Sequence, residues 1–461
     1  MNEHALREAT AFLDDWLGYR AGTVDVPGFS VAVQLGDELV FSKAYGVADL
    51  ETHEPLTTRH VFGVASQSKM FTATVVLQLA AEGKLALDDP VRQHLPWLAE
   101  HTDKRVREIT VRQLLCHGAG LGRDTLEADY WVLAAPFPDQ SALRKLVLAN
   151  PLALEPNTAL KYSNVGYALL GQVVEAVTGE PCTVSVGRII KKLGLKSTLP
   201  DYDAAIGRQM ATGHSLAFEG RRLPLRRGTT ARAMASSVGV CSTAEDMCRF
   251  AAAHFWDDTR LVSRATHKEM QRVQNRVTDG YDTGMAFGLG LEMLRCSSRQ
   301  LVGHSGHLAG HTTATWFDAR DKLVVSVMTN RKDGPASQIV RGVFEALDHF
   351  GAHVAKPTPV HLARLQGRLY SHLATIQVVA AGGVLRLIDP DDWEPLTWPE
   401  ELEYISPTEL RVTTKGSVFG EGEVLRYTFK GDDLQSVRYA GTLLLPEAAY
   451  RRVRAKLQGD N

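Results

Sequence analysis

The stretch VASQSKMFTATVVLQLAAEGK, Val64 to Lys84, opens on small residues, sets Ser66 three positions before Lys69, and continues as an apolar run of helical length. The spacing predicts a helix beginning just after Ser66. Its unpaired N–H groups and positive dipole end would then point toward the hydroxyl, with Lys69 one turn on facing the same side. A lysine whose pKa is lowered by burial or by a neighbouring cation can take the serine proton, and the serine's own N–H can help bind an oxyanion. The competing reading is a serine N-cap followed by a solvated lysine. Two fixed positions in four arise by chance about once in a chain of this size, so the stretch alone does not decide.

Two more segments bear on the choice. LEPNTALKYSNVGYALLG, residues 154–171, places Tyr162 and Asn164 two apart just before a helical pattern, and an extended loop would send both side chains into one cleft. Beside a cationic Lys69 the Tyr162 phenol is expected to have a lowered pKa and to serve as a base, with Asn164 orienting the lysine or a substrate carbonyl. A core tyrosine and an asparagine N-cap are the bland alternative. LVGHSGHLAGHTTATWFD, residues 301–318, puts His304, Ser305 and Gly306 at the end of a strand, followed by a glycine-containing turn. Gly306 leaves room for a ligand's backbone, and the N–H of His307 is a candidate second oxyanion donor.

His304, His307 and His311 share no helical face and have no evident acidic partner, so solvated loop histidines are favoured over metal ligands; no metal or other cofactor is expected. Gly303-His304-Ser305-Gly306-His307 fails the G-x-S-x-G elbow because its last position is histidine. No cysteine sits in a cysteine-protease signature.

Around these segments the periodicity outlines a fold. GFSVAVQLG and ELVFSKAYGV, meeting at Gly36-Asp37, read as an antiparallel hairpin. From Ser66 to Phe255 the pattern is mainly helical; strand signals return at RQLVGHSG, TTATWFD and KLVVSVMTN, and SQIVRGVFEALDHF reads as a closing helix. Strands at both ends with helices between them imply one antiparallel sheet built from distant parts of the chain, with a helical subdomain inserted and a cleft between the layers. At AKPTPVHL the composition shifts to short β-like runs separated by turns. The expected division is therefore a 1–355 domain and a small antiparallel β domain, 356–461.

The 461 residues are 44% apolar, enough to bury two cores, and 51 basic side chains against 53 acidic ones give no basic surface for nucleic acid. No apolar run reaches membrane-spanning length, so no membrane partner is expected. The N-terminal segment lacks the uninterrupted apolar core of a signal peptide, and five scattered cysteines without CxxC spacing read as reduced thiols, which points to the cytoplasm. A homo-oligomer is left open.

In the order SQSK, YSN, HSG, the three segments resemble those of the serine β-lactamase and penicillin-binding protein superfamily, in particular its class C-related branch of esterases and D-aminopeptidases. The resemblance covers roughly residues 5–350. ITVRQLLCHGAGL and SSVGVCSTAEDMCRF are similar to further segments of that branch, although HGAG stands where HTSG is usual and SVGVCST has valine where a second glycine is usual. The family likeness implies an α/β (α+β) fold, with a β-lactamase-like antiparallel sheet flanked by helices, and the C-terminal part looks like an appended lipocalin-like domain.

It also implies that Ser66 is acylated, that Lys69 accepts its proton, and that Tyr162 moves protons to the leaving group and activates water. Asn164 would hold lysine or substrate, His304 and Gly306 would line the substrate, and the N–H groups of Ser66 and His307 would form the oxyanion hole. Histidine at position 304, where β-lactamases usually have the lysine of KTG, is common among the esterase and peptidase members. The function implied is hydrolysis of a small amide, short peptide or carboxylic ester through a Ser66 acyl-enzyme. β-Lactam hydrolysis, transesterification and a penicillin-binding sensor without turnover are the alternatives.

Overall fold

In the computed structural model, which describes residues 2–225, 228–277, 284–308, 310–352, 359–381, 383–417 and 420–459, the hairpin forms as the sequence predicts. β1 (Gly28–Leu35) and β2 (Glu38–Gly46) pair antiparallel, with Leu35 opposite Glu38. The two-residue turn needs a left-handed backbone, and Gly36 supplies it at φ +57°. Two short strands, β3 (Phe62–Gly63) and β4 (Cys241–Ser242), pair with each other.

The remaining strands of the sheet come late in the chain: β5 (Asn275–Arg276), β6 (Ala286–Phe287), β7 (Glu292–Cys296), β8 (Arg299–Leu308), β9 (His311–Asp318) and β10 (Leu323–Thr329). The sheet order is β2-β1-β10-β9-β8-β7-β6-β5, so β1 lies directly against β10, with Phe29 opposite Thr329. Distant parts of the chain thus meet side by side in one antiparallel sheet. β9 and β10 are buried along their whole length, and β10, LVVSVMT, accordingly reads as a mostly apolar run rather than as an alternation.

Helices fill the interval between the two sets of strands. The helix Ser68–Ala81 is apolar around its whole circumference and buried at every position from Ser68 to Leu77, as a helix through a core must be. Phe71 on it stacks on Phe250 of the helix Ala244–Ala252, with ring centroids 3.6 Å apart. The helix begins within one residue of the expected place, at Ser68. Ser66 lies in a 3₁₀ turn, Ala65–Gln67, entered through a left-handed Ala65 at φ +54°. His304 to Gly306 likewise sit inside β8 rather than at its end.

By internal contacts the chain separates into two compact units, Asp25–Val340 and Met1–Val24 with Arg341–Asn461. The expected division at 355/356 falls at residues outside those described. The second unit carries a closed antiparallel barrel of β11 (Gly367–Tyr370), β12 (Thr375–Ala381), β13 (Val384–Ile388), β14 (Glu400–Ser406), β15 (Glu409–Val412), β16 (Val424–Lys430), β17 (Asp433–Tyr439) and β18 (Thr442–Pro446). β18 returns to β11, with Leu369 opposite Pro446, so no strand edge is left open. Leu410, Leu425 and Val437 fill its interior and Leu362 and Leu365 join them from the preceding helical turn.

The N-terminal helix Glu3–Thr23, capped by the Asn2 side chain on the Ala5 N–H, belongs to this second unit. Buried Trp16 donates from its indole N–H to the Pro390 carbonyl at 3.2 Å, and the Arg20 guanidinium lies 4.0 Å from the Trp393 ring centroid.

Candidate active site

The turn that carries Ser66 is held from several sides by backbone and hydroxyl groups. Val64 N–H donates to the Val240 carbonyl at 2.9 Å, and the Ser68 hydroxyl donates to the Ala65 carbonyl at 2.6 Å while accepting from the Val240 N–H. From β9, the Thr313 hydroxyl donates to the Val64 carbonyl and accepts from the Gln67 amide. Such a web fixes a left-handed alanine that would otherwise cost about 1–3 kcal/mol.

One turn into the structure, Lys69 is fully buried. Its Nζ lies 3.1 Å from Ser66 Oγ, 2.9 Å from Asn164 Oδ1 and 3.1 Å from the Ser237 carbonyl. Burial pushes its pKa down to about 7, against the opposing pull of the Glu292 and Asp124 carboxylates. A neutral amine has two N–H donors and one lone pair. Two carbonyl oxygens take the donors, leaving the lone pair for the Ser66 hydroxyl. The solvated-lysine reading is therefore wrong for this chain.

Asn164 is the first residue of the helix Asn164–Thr178, and the helix cap is Ser163, whose hydroxyl accepts from the Gly166 N–H at 2.9 Å. With the backbone capped by its neighbour, the Asn164 side chain is free for the cleft. Its amide donates to Asp124 Oδ1 at 2.9 Å, which turns the carbonyl oxygen toward Lys69.

Tyr162 is half-buried, with its hydroxyl near Ser66. Its ring lies tilted against His117, with centroids 4.3 Å apart, and Lys69 Nζ lies 4.9 Å from the ring centroid. The expected lowering of its pKa is not what the surroundings produce. Burial first, then the Glu292 carboxylate, raise it, so the phenol is a proton donor at rest.

His304 is buried and not a solvated loop residue. Its Nδ1 donates to the Ser305 carbonyl at 2.6 Å and lies 3.3 Å from Glu292, the acidic partner that sequence inspection did not find. Burial, with the Lys69 charge adding to it, lowers the imidazole pKa to about 3, so the ring is neutral. His311 accepts the Gly63 N–H on Nδ1 and faces the Ala211 carbonyl with Nε2. Gly306 lies so close to the serine turn that a Cβ there would stand 2.2 Å from the Val64 carbonyl oxygen.

Glu292 on β7 is the principal residue sequence reasoning missed. It is buried, accepts from the Ser305 N–H at 2.9 Å and hydroxyl at 3.1 Å, and has a pKa raised to about 7 by burial. An acid inside the apolar run FGLGLEML was its only sequence signal. Ser66, Tyr162, Asn164, Glu292, His304 and Lys332 are among the residues lining one cleft of about 350 Å³. The three sequence segments thus converge on a single site.

The family model for beta-lactamases matches residues 13–349. This chain belongs to the beta-lactamase family. It is 29% identical over 327 residues to a D-aminopeptidase of Brucella anthropi, covering 68% of this chain and 58% of that protein. Among solved structures it resembles a D-stereospecific amidohydrolase from Streptomyces sp., at 26% identity and TM-score 0.63, over 73% of this chain and 98% of the other. The octameric penicillin-binding protein homologue from Pyrococcus abyssi matches at TM-score 0.65 over 94% of this family member and 99% of its own chain; at 21% identity that likeness shows the shared fold.

Proposed function

We propose that this family member is a serine hydrolase that cleaves a small amide, short peptide or carboxylic ester through an acyl-enzyme on Ser66. The observation that carries the reading is the buried Lys69 amine, 3.1 Å from Ser66 Oγ with both of its N–H donors occupied by carbonyls. As Oγ attacks the substrate carbonyl, the Lys69 lone pair takes the hydroxyl proton, and the N–H groups of Ser66 and His307 receive the oxyanion. Tyr162, held protonated beside Ser66, passes a proton to the departing amine or alkoxide and regains one from Lys69. Water then repeats the sequence on the acyl-enzyme. Asn164 keeps Lys69 aimed, while His304 and Gly306 form the wall beside the substrate.

The amide and ester readings are favoured over the lactam one because the position-304 side chain is a neutral imidazole, which offers no fixed charge to a lactam's carboxylate. The names of the D-aminopeptidase and D-stereospecific amidohydrolase relatives support an amide. Residues 1–355 are our assignment for the hydrolase part, and the cytoplasm, for a chain with buried thiols at Cys116, Cys182, Cys241 and Cys248, is our assignment for location. The test is turnover of p-nitrophenyl butyrate, D-alanine p-nitroanilide and nitrocefin by wild type and Ser66→Ala. We expect the ester or the anilide to be hydrolysed by wild type alone; turnover that survives in Ser66→Ala removes Ser66 as nucleophile. Labelling of Ser66 without product release would establish the sensor reading instead.

A further inference from the structure

Against the catalytic residues lies a second, smaller pocket, of about 30 Å³, that the mechanism above does not use. Its walls come from residues adjoining the machinery: Gly63, three before Ser66; Val238 and Gly239, next to the Ser237 that holds Lys69; and Leu308, next to His307. Leu308 lines both this pocket and the larger cleft. Leu133, Phe137 and Met210 close the far side.

The polar side chains of the lining are few: the His311 imidazole and the hydroxyls of Tyr202 and Thr229. His311 spends its two ring nitrogens on Gly63 and Ala211, and burial lowers its pKa to about 4, so it brings no charge. What remains is neutral and mostly apolar, a place for hydrocarbon.

We propose that this pocket is the subsite for a short aliphatic substituent on the acyl part of the substrate. The inference rests on the hydrolase reading of Ser66. The acyl group stays bonded to Ser66 until water releases it, so it suits the smaller pocket that starts at Gly63 and shares Leu308 with the cleft; the leaving group must escape, and suits the roomier 350 Å³ cleft. A single water needs about 10–15 Å³ of such space, so the pocket takes about two or three heavy atoms.

Two substitutions outside the catalytic residues test the size directly. Gly63→Ala places a methyl 3.5 Å from His311 Nδ1 and 3.9 Å from Leu308 Cδ2, both ordinary contacts, and so fills the pocket without strain. Leu308→Ala opens it. For p-nitrophenyl acetate, propionate, butyrate, hexanoate and octanoate, wild-type kcat/KM should peak at propionate or butyrate. The butyrate-to-acetate ratio should fall at least tenfold in Gly63→Ala, and the peak should move to hexanoate in Leu308→Ala. Ratios within twofold of wild type in both variants would overturn the assignment.

A companion measurement needs no chemistry. Calorimetric binding of acetamide, butyramide and hexanamide to Ser66→Ala, alone and combined with each pocket variant, should show the same length order and the same shifts. Binding indifferent to length and to both variants overturns the pocket. The expected order without release of p-nitrophenolate from wild type keeps the pocket and overturns the hydrolase reading.

Discussion

Lys69 shows how a single burial decides the chemistry of a residue. Its amine is charged in water at neutral pH, but the interior lowers its pKa to about 7, within reach of the general-base optimum. On the proposed mechanism, acylation needs the neutral form, so kcat/KM for an ester should rise as pH climbs through about 7. Lys69→Ala should lower it by about 10²–10⁴-fold and abolish that rise. The Glu292 carboxylate pulls the lysine pKa upward. Glu292→Gln removes that pull, and the rising limb should move to lower pH in a kcat/KM profile measured between pH 5 and 9. A limb left in place would show that Glu292 only holds Ser305. The sequence exposed the three-residue spacing of Ser66 and Lys69 because the pair is local. It hid Glu292 and Asp124, which reach Lys69 only through the folded arrangement of distant segments.

Among the elements, β8 and the 3₁₀ turn at Ser66 depend on each other's shape. Gly306 permits their approach, and its replacement by alanine would drive a methyl into the Val64 carbonyl. We expect Gly306→Ala to destabilise the chain by about 1–3 kcal/mol and to cut kcat/KM at least tenfold, read by urea denaturation and ester turnover. The hairpin of β1 and β2 and the buried run of β10 were legible because a period of two, or a mostly apolar run, is written within a few residues. The 3₁₀ turn that precedes the helix at Ser68 was not. Ala65 enters the left-handed region without being glycine, held there by Thr313 and Val240, and no local pattern announces a conformation imposed by partners so remote. The same holds for His304, whose surroundings are set by β7 rather than by its own neighbours in sequence.

At the scale of the whole molecule, both ends of the chain meet in the unit that holds the barrel. Trp16 is fully buried there and bonded to Pro390, so Trp16→Ala should destabilise that unit by about 3–5 kcal/mol, seen as an earlier loss of near-ultraviolet dichroism on heating. An unchanged melting profile would show that the N-terminal helix adds little to it. The alternation in strands such as β16 announced a small β domain, but its closure into a barrel through Leu369 and Pro446 joins strands some 75 residues apart, beyond any local signal. The Thr313 clasp on the serine turn has a further consequence, one of timing. On the ribosome, Ser66 emerges some 250 residues before the strand that secures its turn, so a growing chain carries the nucleophile long before it carries the geometry that activates it. On the proposed reading, Ser66 gains its full geometry only once Thr313, about two-thirds of the way along these 461 residues, has been made.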